Sequence, residues 1–185
     1  MASNYGPHFG VRRWDEDMAT REGRFKTPVA GDRLIIGTAV ELDFAAPGFM
    51  KQAVAARKIE PGVAGLLIYE DQFLHKGSGA ASIDATGRVD TRDLAYAARG
   101  RYAVLTTGAG CKFWFKNVAA HTSPDGFVQP ALAIVDGLDT GDVDLGDFLG
   151  WDGTQWAVTA TEAEAWFRVV TVNDAAASCE AVLLR

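Results

Sequence analysis

Short apolar runs, each cut off by a proline–glycine or aspartate–glycine pair, narrow the folds open to this chain more than any other feature. Residues 32–71 show the pattern. Leu34-Ile35-Ile36 is followed by Gly37-Thr38-Ala39-Val40-Glu41-Leu42-Asp43, where apolar and β-branched residues are interrupted by a charge. Pro47-Gly48 turns the chain, and Pro61-Gly62 leads into Val63-Ala64-Gly65-Leu66-Leu67-Ile68-Tyr69. Runs of this length bounded by Pro-Gly read as strands joined by turns. Between them, Phe49–Lys58 reads as a short helix or as a third strand. The flanking Gly48 and Pro61 permit either, and strand plus loop is the better fit.

The pattern returns after residue 101. Tyr102–Thr107 reads as a strand, Gly108-Ala109-Gly110 as a turn, and Cys111–Asn117 as an aromatic-rich strand. Pro124-Asp125-Gly126 then sends Phe127–Val135 back, predicting a hairpin with Cys111–Asn117. Asp147–Trp151 and Thr154–Ala160 flank Asp152-Gly153, the dipeptide favoured in two-residue hairpin turns with positive φ at both central positions. Trp166–Val172 and Cys179–Leu184 form a last hairpin, with a helical turn over Thr161–Trp166. Many short strands at close spacing predict an all-β body, a β-sandwich or barrel-like arrangement of short antiparallel strands. No fixed period is present, which excludes a solenoid or propeller.

Four segments follow from this reading. Residues 1–29 carry no sustained period. Tyr5, Phe9, Trp14 and Phe25 are scattered among charges and glycines, so the segment reads as a tail or as an extended N-terminal arm whose aromatics dock elsewhere. Residues 30–74 form a first β lobe. Residues 75–101 are glycine- and serine-rich at their start and read as a linker or insertion, with a brief helix open at Thr91–Ala98. Residues 102–185 form a second β lobe, or join the first in one continuous domain, 30–185.

A chain of 185 residues can bury a core without staples. Its net charge is −6. Residues 1–29 hold five basic and four acidic side chains, leaving −7 for the rest. An acidic body is a poor partner for nucleic-acid phosphates. No apolar run approaches the roughly 20 residues of a membrane span. Met1–His8 lacks the basic-then-apolar order of a secretory signal, so synthesis in the cytosol is expected. Cys111 and Cys179 read as buried apolar residues, able to pair only if their strands are neighbours.

Ser78, Ser82 and Ser123 lie near His75 and His121 only in turn-like stretches, and no Gly-x-Ser-x-Gly elbow occurs. The histidines and cysteines match no zinc spacing. Gly77–Gly79 and Gly108–Gly110 lack the Lys-Ser/Thr of a phosphate loop. The Asp136–Asp147 stretch is dense in carboxylates and glycines, which suits a solvated loop or a hard cation. It fails the EF-hand pattern, because position 12 from Asp142 is Gly153. The reading is therefore non-enzymatic, with no cofactor. Aromatics on predicted strands (Phe113, Trp114, Phe115, Trp151, Trp156, Trp166, Phe167) could offer a sugar-stacking face. Alternation instead sends half of them inward, leaving Trp114 and one of Trp166 and Phe167 outward. Exposed aromatics more often mark a protein interface.

Four stretches carry a resemblance: Gly37–Asp43, Pro61–Leu67, Thr107–Asn117 and Leu149-Gly150-Trp151-Asp152-Gly153-Thr154. On these the chain resembles the head decoration or minor capsid proteins of tailed bacteriophages, especially phages of actinobacteria. A Gly-Thr-x-Val strand precedes a Gly-x-Leu strand, and the likeness runs through most of residues 32–185. It implies a structural virion protein made in the host cytoplasm, bound to the capsid exterior and reinforcing the head. The implied partners are the major capsid protein and further copies of the chain, in a homotrimer, without nucleic acid or membrane. Phe9, Arg12, Arg13, Trp14, Arg24, Phe25 and Trp114 are the expected interface residues. A tail or baseplate β protein and a carbohydrate-binding module are the alternatives.

Overall fold

The structure is a computed structural model. It describes residues 9–13, 19–25, 37–45, 49–60, 63–70, 103–107, 109–122, 128–129 and 131–184. Thirteen strands are seen among them: β1 (Phe9–Arg13), β2 (Ala19–Phe25), β3 (Ala39–Leu42), β4 (Phe49–Gln52), β5 (Ala64–Glu70), β6 (Ala103–Thr107), β7 (Lys112–Lys116), β8 (His121–Thr122), β9 (Val128–Gln129), β10 (Phe148–Trp151), β11 (Trp156–Thr159), β12 (Phe167–Asn173) and β13 (Ser178–Leu183). The architecture is all-β. A six-stranded antiparallel sheet has the order β1-β7-β13-β12-β10-β11. A second sheet pairs β2-β4-β3-β5-β6, and β6 pairs again with β2. It is antiparallel except between β2 and β4. β8 and β9 make a small separate ladder.

The inner face of the six-stranded sheet follows from alternation. In β7, Phe113 and Phe115 are fully buried, while Lys112, Trp114 and Lys116 are half-buried. The small Ala181 and Cys179 of β13 lie opposite these two rings. Large against small across a ladder lets side chains interdigitate without voids. Phe167 then meets Phe113 and Phe115 edge-on, at 5.8 and 5.3 Å between centroids.

The second sheet supplies small residues to the same core: Ala39, Ala53 and Ala64, with Ile59 and Leu66. Alternation sends Val40 and Leu67, also fully buried, to its opposite face. Burial on both faces explains the unbroken apolar run in β5. The charge that interrupts β3 is Glu41. It is buried and opposite Lys51, whose Nζ lies 3.3 Å from Oε1, while Arg57 Nε lies 3.1 Å from Oε2. A carboxylate at such a position requires partners of this kind.

Three indoles join the sheets. Trp151 Nε1 donates to Ala53 O at 2.8 Å, Trp156 Nε1 to Gly37 O at 2.7 Å, and Trp166 Nε1 to Arg57 O at 2.6 Å. Trp156 stands between the other two rings, 4.9 Å from Trp151 and 5.3 Å from Trp166. The alanines opposite leave room for these rings, and each buried N–H finds an acceptor on a loop of the other sheet.

Several expectations are modified. Residues 9–13 and 19–25, within the segment read as an arm, are strands of the two sheets. β6 falls at the start of the predicted second lobe, yet it pairs with β5 and β2. β7 does not form a hairpin with 127–135. Its partners are β1 and β13, and the return ladder is limited to β8–β9 and a Val118–Leu132 bridge. The reason is Asn117. Its Oδ1 accepts from the Ile134 and Val135 amides at 2.9 and 3.1 Å, and its Nδ2 donates to Val135 O at 2.8 Å, so one side chain replaces a ladder.

The β10–β11 hairpin forms as expected, with a different turn. Trp151 pairs with Trp156, so four residues make the loop. Asp152 Oδ1 accepts from the amides of Thr154 and Gln155, and of the dipeptide only Gly153 has positive φ, +107°. Trp166 and Phe167 are both buried, against the alternation argument. Trp166 precedes β12 in the turn over 161–166, where strand alternation does not apply. The predicted 75–101 insertion and Leu34–Ile36 lie outside the described residues.

Candidate functional site

Two surfaces merit description: the outward face of the six-stranded sheet and the cleft beside its β11 edge. On the outward face, Trp114 sits between Lys112 and Lys116 in β7, opposite Gly10 of β1 and Glu180 of β13. Glu180 is ion-paired with Lys112. Further across, Arg168 lies 5.6 Å from the centre of the Phe148 ring. The face therefore combines cations with partly covered aromatic surface on a chain that is acidic as a whole.

Among the expected interface residues, Phe9 is half-buried and packs on its own body. Its ring stacks on Phe113 at 5.6 Å and meets Phe115 at 5.4 Å. Arg12 and Arg13 belong to β1, and Arg24 and Phe25 to β2; their side chains lie outside the described residues, as does all of Trp14. The structure thus brings Phe9 and Trp114 onto neighbouring strands, on opposite faces. Trp151, Trp156, Trp166, Phe113, Phe115 and Phe167, offered by the sequence as a stacking face, are core. The exposed large apolar residues described are Phe44, Val54, Leu145 and Val158, with Phe44 at 73% and Leu145 at 72%. Sequence reasoning passed over all four: Phe44, Val54 and Leu145 are single apolar residues in loops, which carry no periodic signal, and Val158 is exposed only because β11 ends its sheet.

The cleft has a volume of about 300 Å³ and is lined by Asp136, Gly137, Asp139, Thr140, Asp142, Ala157 and Val158. Its loop is anchored by buried Leu138 and Val143. Several of the loop's carboxylates accept hydrogen bonds from the protein itself. Asp142 Oδ2 accepts from Thr140 Oγ1 at 2.6 Å, Asp139 Oδ1 from Asn117 Nδ2 at 3.3 Å, and Asp147 Oδ2 from the Asp144 amide at 2.8 Å. Among the described residues no group of three ligating side chains is placed to hold a metal ion.

No family model, curated protein or solved structure matches the chain.

The cysteines are explained by register. Cys179 lies opposite Phe115, and the Leu183 amide donates to Cys111 O, so the two are offset by four residues along adjacent strands. That separation is roughly 13 Å, beyond disulfide reach, and both thiols are free. Burial first, then the neighbouring Glu180, pushes the Cys179 thiol up to about 12. Native Cys179 is therefore expected to resist iodoacetamide at pH 8 and to react once urea unfolds the chain. The same shift fixes a pH dependence. Unfolded, the thiol ionises near 9.0; folded, it keeps its proton to about 12. Between those values the folded state binds more protons, so stability falls as pH rises through the window. Unfolding free energies from urea melts at pH 8 and pH 10.5 should differ by about 2 kcal/mol more in the wild type than in Cys179→Ala. Equal pH slopes in the two proteins would remove Cys179 as the cause.

Proposed function

We propose that this chain is a non-enzymatic structural protein of a tailed-phage virion, binding the outside of the capsid and stabilising the head. The observation that carries this reading is Trp114, half-exposed between two lysines on the outward face of a strand whose other two aromatics, Phe113 and Phe115, are fully buried on its inward face. A protein that reinforces a shell needs a stiff body and an outward contact face, and needs no reaction centre. The three indole bonds across the sheets supply stiffness. The resemblance over residues 32–185 supplies the partner class. Barrel-like closure of the second sheet, β2 to β6, is part of the same proposal, supported by the pairing that returns from β6 to β2.

Binding is tested with purified expanded heads that lack this chain. The wild type should co-sediment in a fixed ratio to the major capsid protein. Trp114→Ala should reduce binding at least tenfold while keeping a cooperative thermal transition, as expected for an aromatic anchor at an interface. Absence of the chain from density-purified virions, or unchanged binding by Trp114→Ala, would overturn the capsid role or the Trp114 role respectively.

A further inference from the structure

We infer that the outer edge of β11 is a docking strip for an extended, lysine- or arginine-bearing segment of a partner protein, added as a further strand at Val158. The inference is independent of the proposed virion role.

β11 is the last strand of its sheet, paired on one side with β10. Trp166 N donates to Leu149 O, so Leu149 points its peptide groups toward β12, and Phe148 and Gly150 point theirs toward β11. Their partners there are Thr159 and Ala157. By alternation Trp156 and Val158 point their N–H and C=O away from the sheet. At Trp156 these groups are taken: its N–H donates to Ile134 O at 3.0 Å, and its C=O accepts from the Asp136 amide at 2.7 Å. The 134–136 segment thus forms the beginning of a parallel neighbour to β11. At Gly137, with φ +72°, the chain turns away. The next outward pair, on Val158, has no partner among the described residues, and Val158 is 46% exposed.

The occupant is specified by charge. Where the chain leaves the edge, its loop places Asp136, Asp139 and Asp142 around the cleft that Val158 also lines. An incoming strand would bond through its main chain to Val158 and set alternate side chains among these carboxylates. Cationic side chains are favoured there and acidic ones repelled. Edge strands with open peptide groups are templates for strand addition unless blocked by charge or proline. Here the charge beside the edge is of one sign, so it selects its occupant.

The test uses a fluorescent Lys-Val-Lys-Val-Lys peptide and fluorescence polarisation at low salt with the full chain. The expected result is saturable binding, lost when the lysines are replaced by glutamates. A peptide N-methylated on alternate amides keeps every charge but cannot complete the ladder, and it should bind about tenfold more weakly, the scale of a lost backbone hydrogen bond or two. Val158→Pro removes the outward N–H and leaves the β10 ladder intact, a position where proline is tolerated. It should weaken binding to a similar degree, and Asp139→Asn should weaken it with a shallower salt dependence. Equal binding by the N-methylated and unmodified peptides would reduce the effect to charge alone and overturn strand addition. Absence of saturation, or full binding by the glutamate peptide, would overturn the site. The peptide arms decide the matter even if Val158→Pro folds poorly.

Discussion

Trp156→Ala is expected to bring the protein to the edge of unfolding. The ring is fully buried and packs against Phe115, Trp151, Trp166 and Phe167, with centroids 4.8–6.3 Å away. Removing a buried tryptophan costs about 3–5 kcal/mol through lost burial and the cavity left behind. The substitution also strands the Gly37 carbonyl, which loses its indole donor inside the protein. An unsatisfied buried acceptor adds about 1–3 kcal/mol. The sum is comparable to the whole stability of an ordinary domain, about 5–15 kcal/mol. Far-UV circular dichroism in urea should show a midpoint near zero denaturant or no cooperative transition. Trp156→Phe separates the two terms, since it keeps a ring and loses the donor; a loss of about 1–3 kcal/mol is expected. A loss below about 1 kcal/mol for the alanine variant would place Trp156 outside the core that joins the sheets.

Gly37→Ala is the second large effect. Gly37 has φ +92°, a region that costs a side-chain-bearing residue about 1–2 kcal/mol. A Cβ there would lie 2.7 Å from Phe9 Cδ2 and 2.8 Å from Ile134 Cδ1. Neither neighbour can yield cheaply, because Phe9 is stacked on Phe113 and Ile134 is core. Overpacking adds about 1–3 kcal/mol. The expected loss is therefore about 2–5 kcal/mol, read from urea midpoints. Gly141→Ala is the control. It has φ +80° with nothing within 4 Å of the added carbon, so only the conformational part should remain. Combining Gly37→Ala with Phe9→Ala should recover part of the steric penalty in a double-mutant cycle. If Gly37→Ala and Gly141→Ala cost the same, the close approach of Phe9 is not rigid.

The fold class was legible where the signal is local. Lys112–Lys116 alternates, and its burial alternates with it. Asp152-Gly153 marks a hairpin because an aspartate side chain and a permissive glycine reverse a chain wherever they occur. The strand order was not legible, since β1, β7 and β13 come together from distant parts of the sequence. Phe9–Arg13 is too short a stretch to show a period. Asn117 misled the hairpin assignment, because nothing in the sequence shows that one amide will satisfy the main chain of residues 134–135. The indole bonds were hidden for a similar reason: an acceptor about a hundred residues away leaves no local trace. On the candidate surfaces, the outward direction of Trp114 was legible from alternation. The open edge at Val158 was missed, since it exists only because the 134–136 segment stops one residue pair short of it.

β13 lies in the middle of its sheet, although every strand beside it comes earlier in the chain. The β1–β7 pair and the β12–β10–β11 group share no ladder with each other, so Ser178–Leu183 alone joins them edge to edge. A change that loosens β13 is therefore expected to bare two sheet edges at once, each a template for a strand from a neighbouring copy.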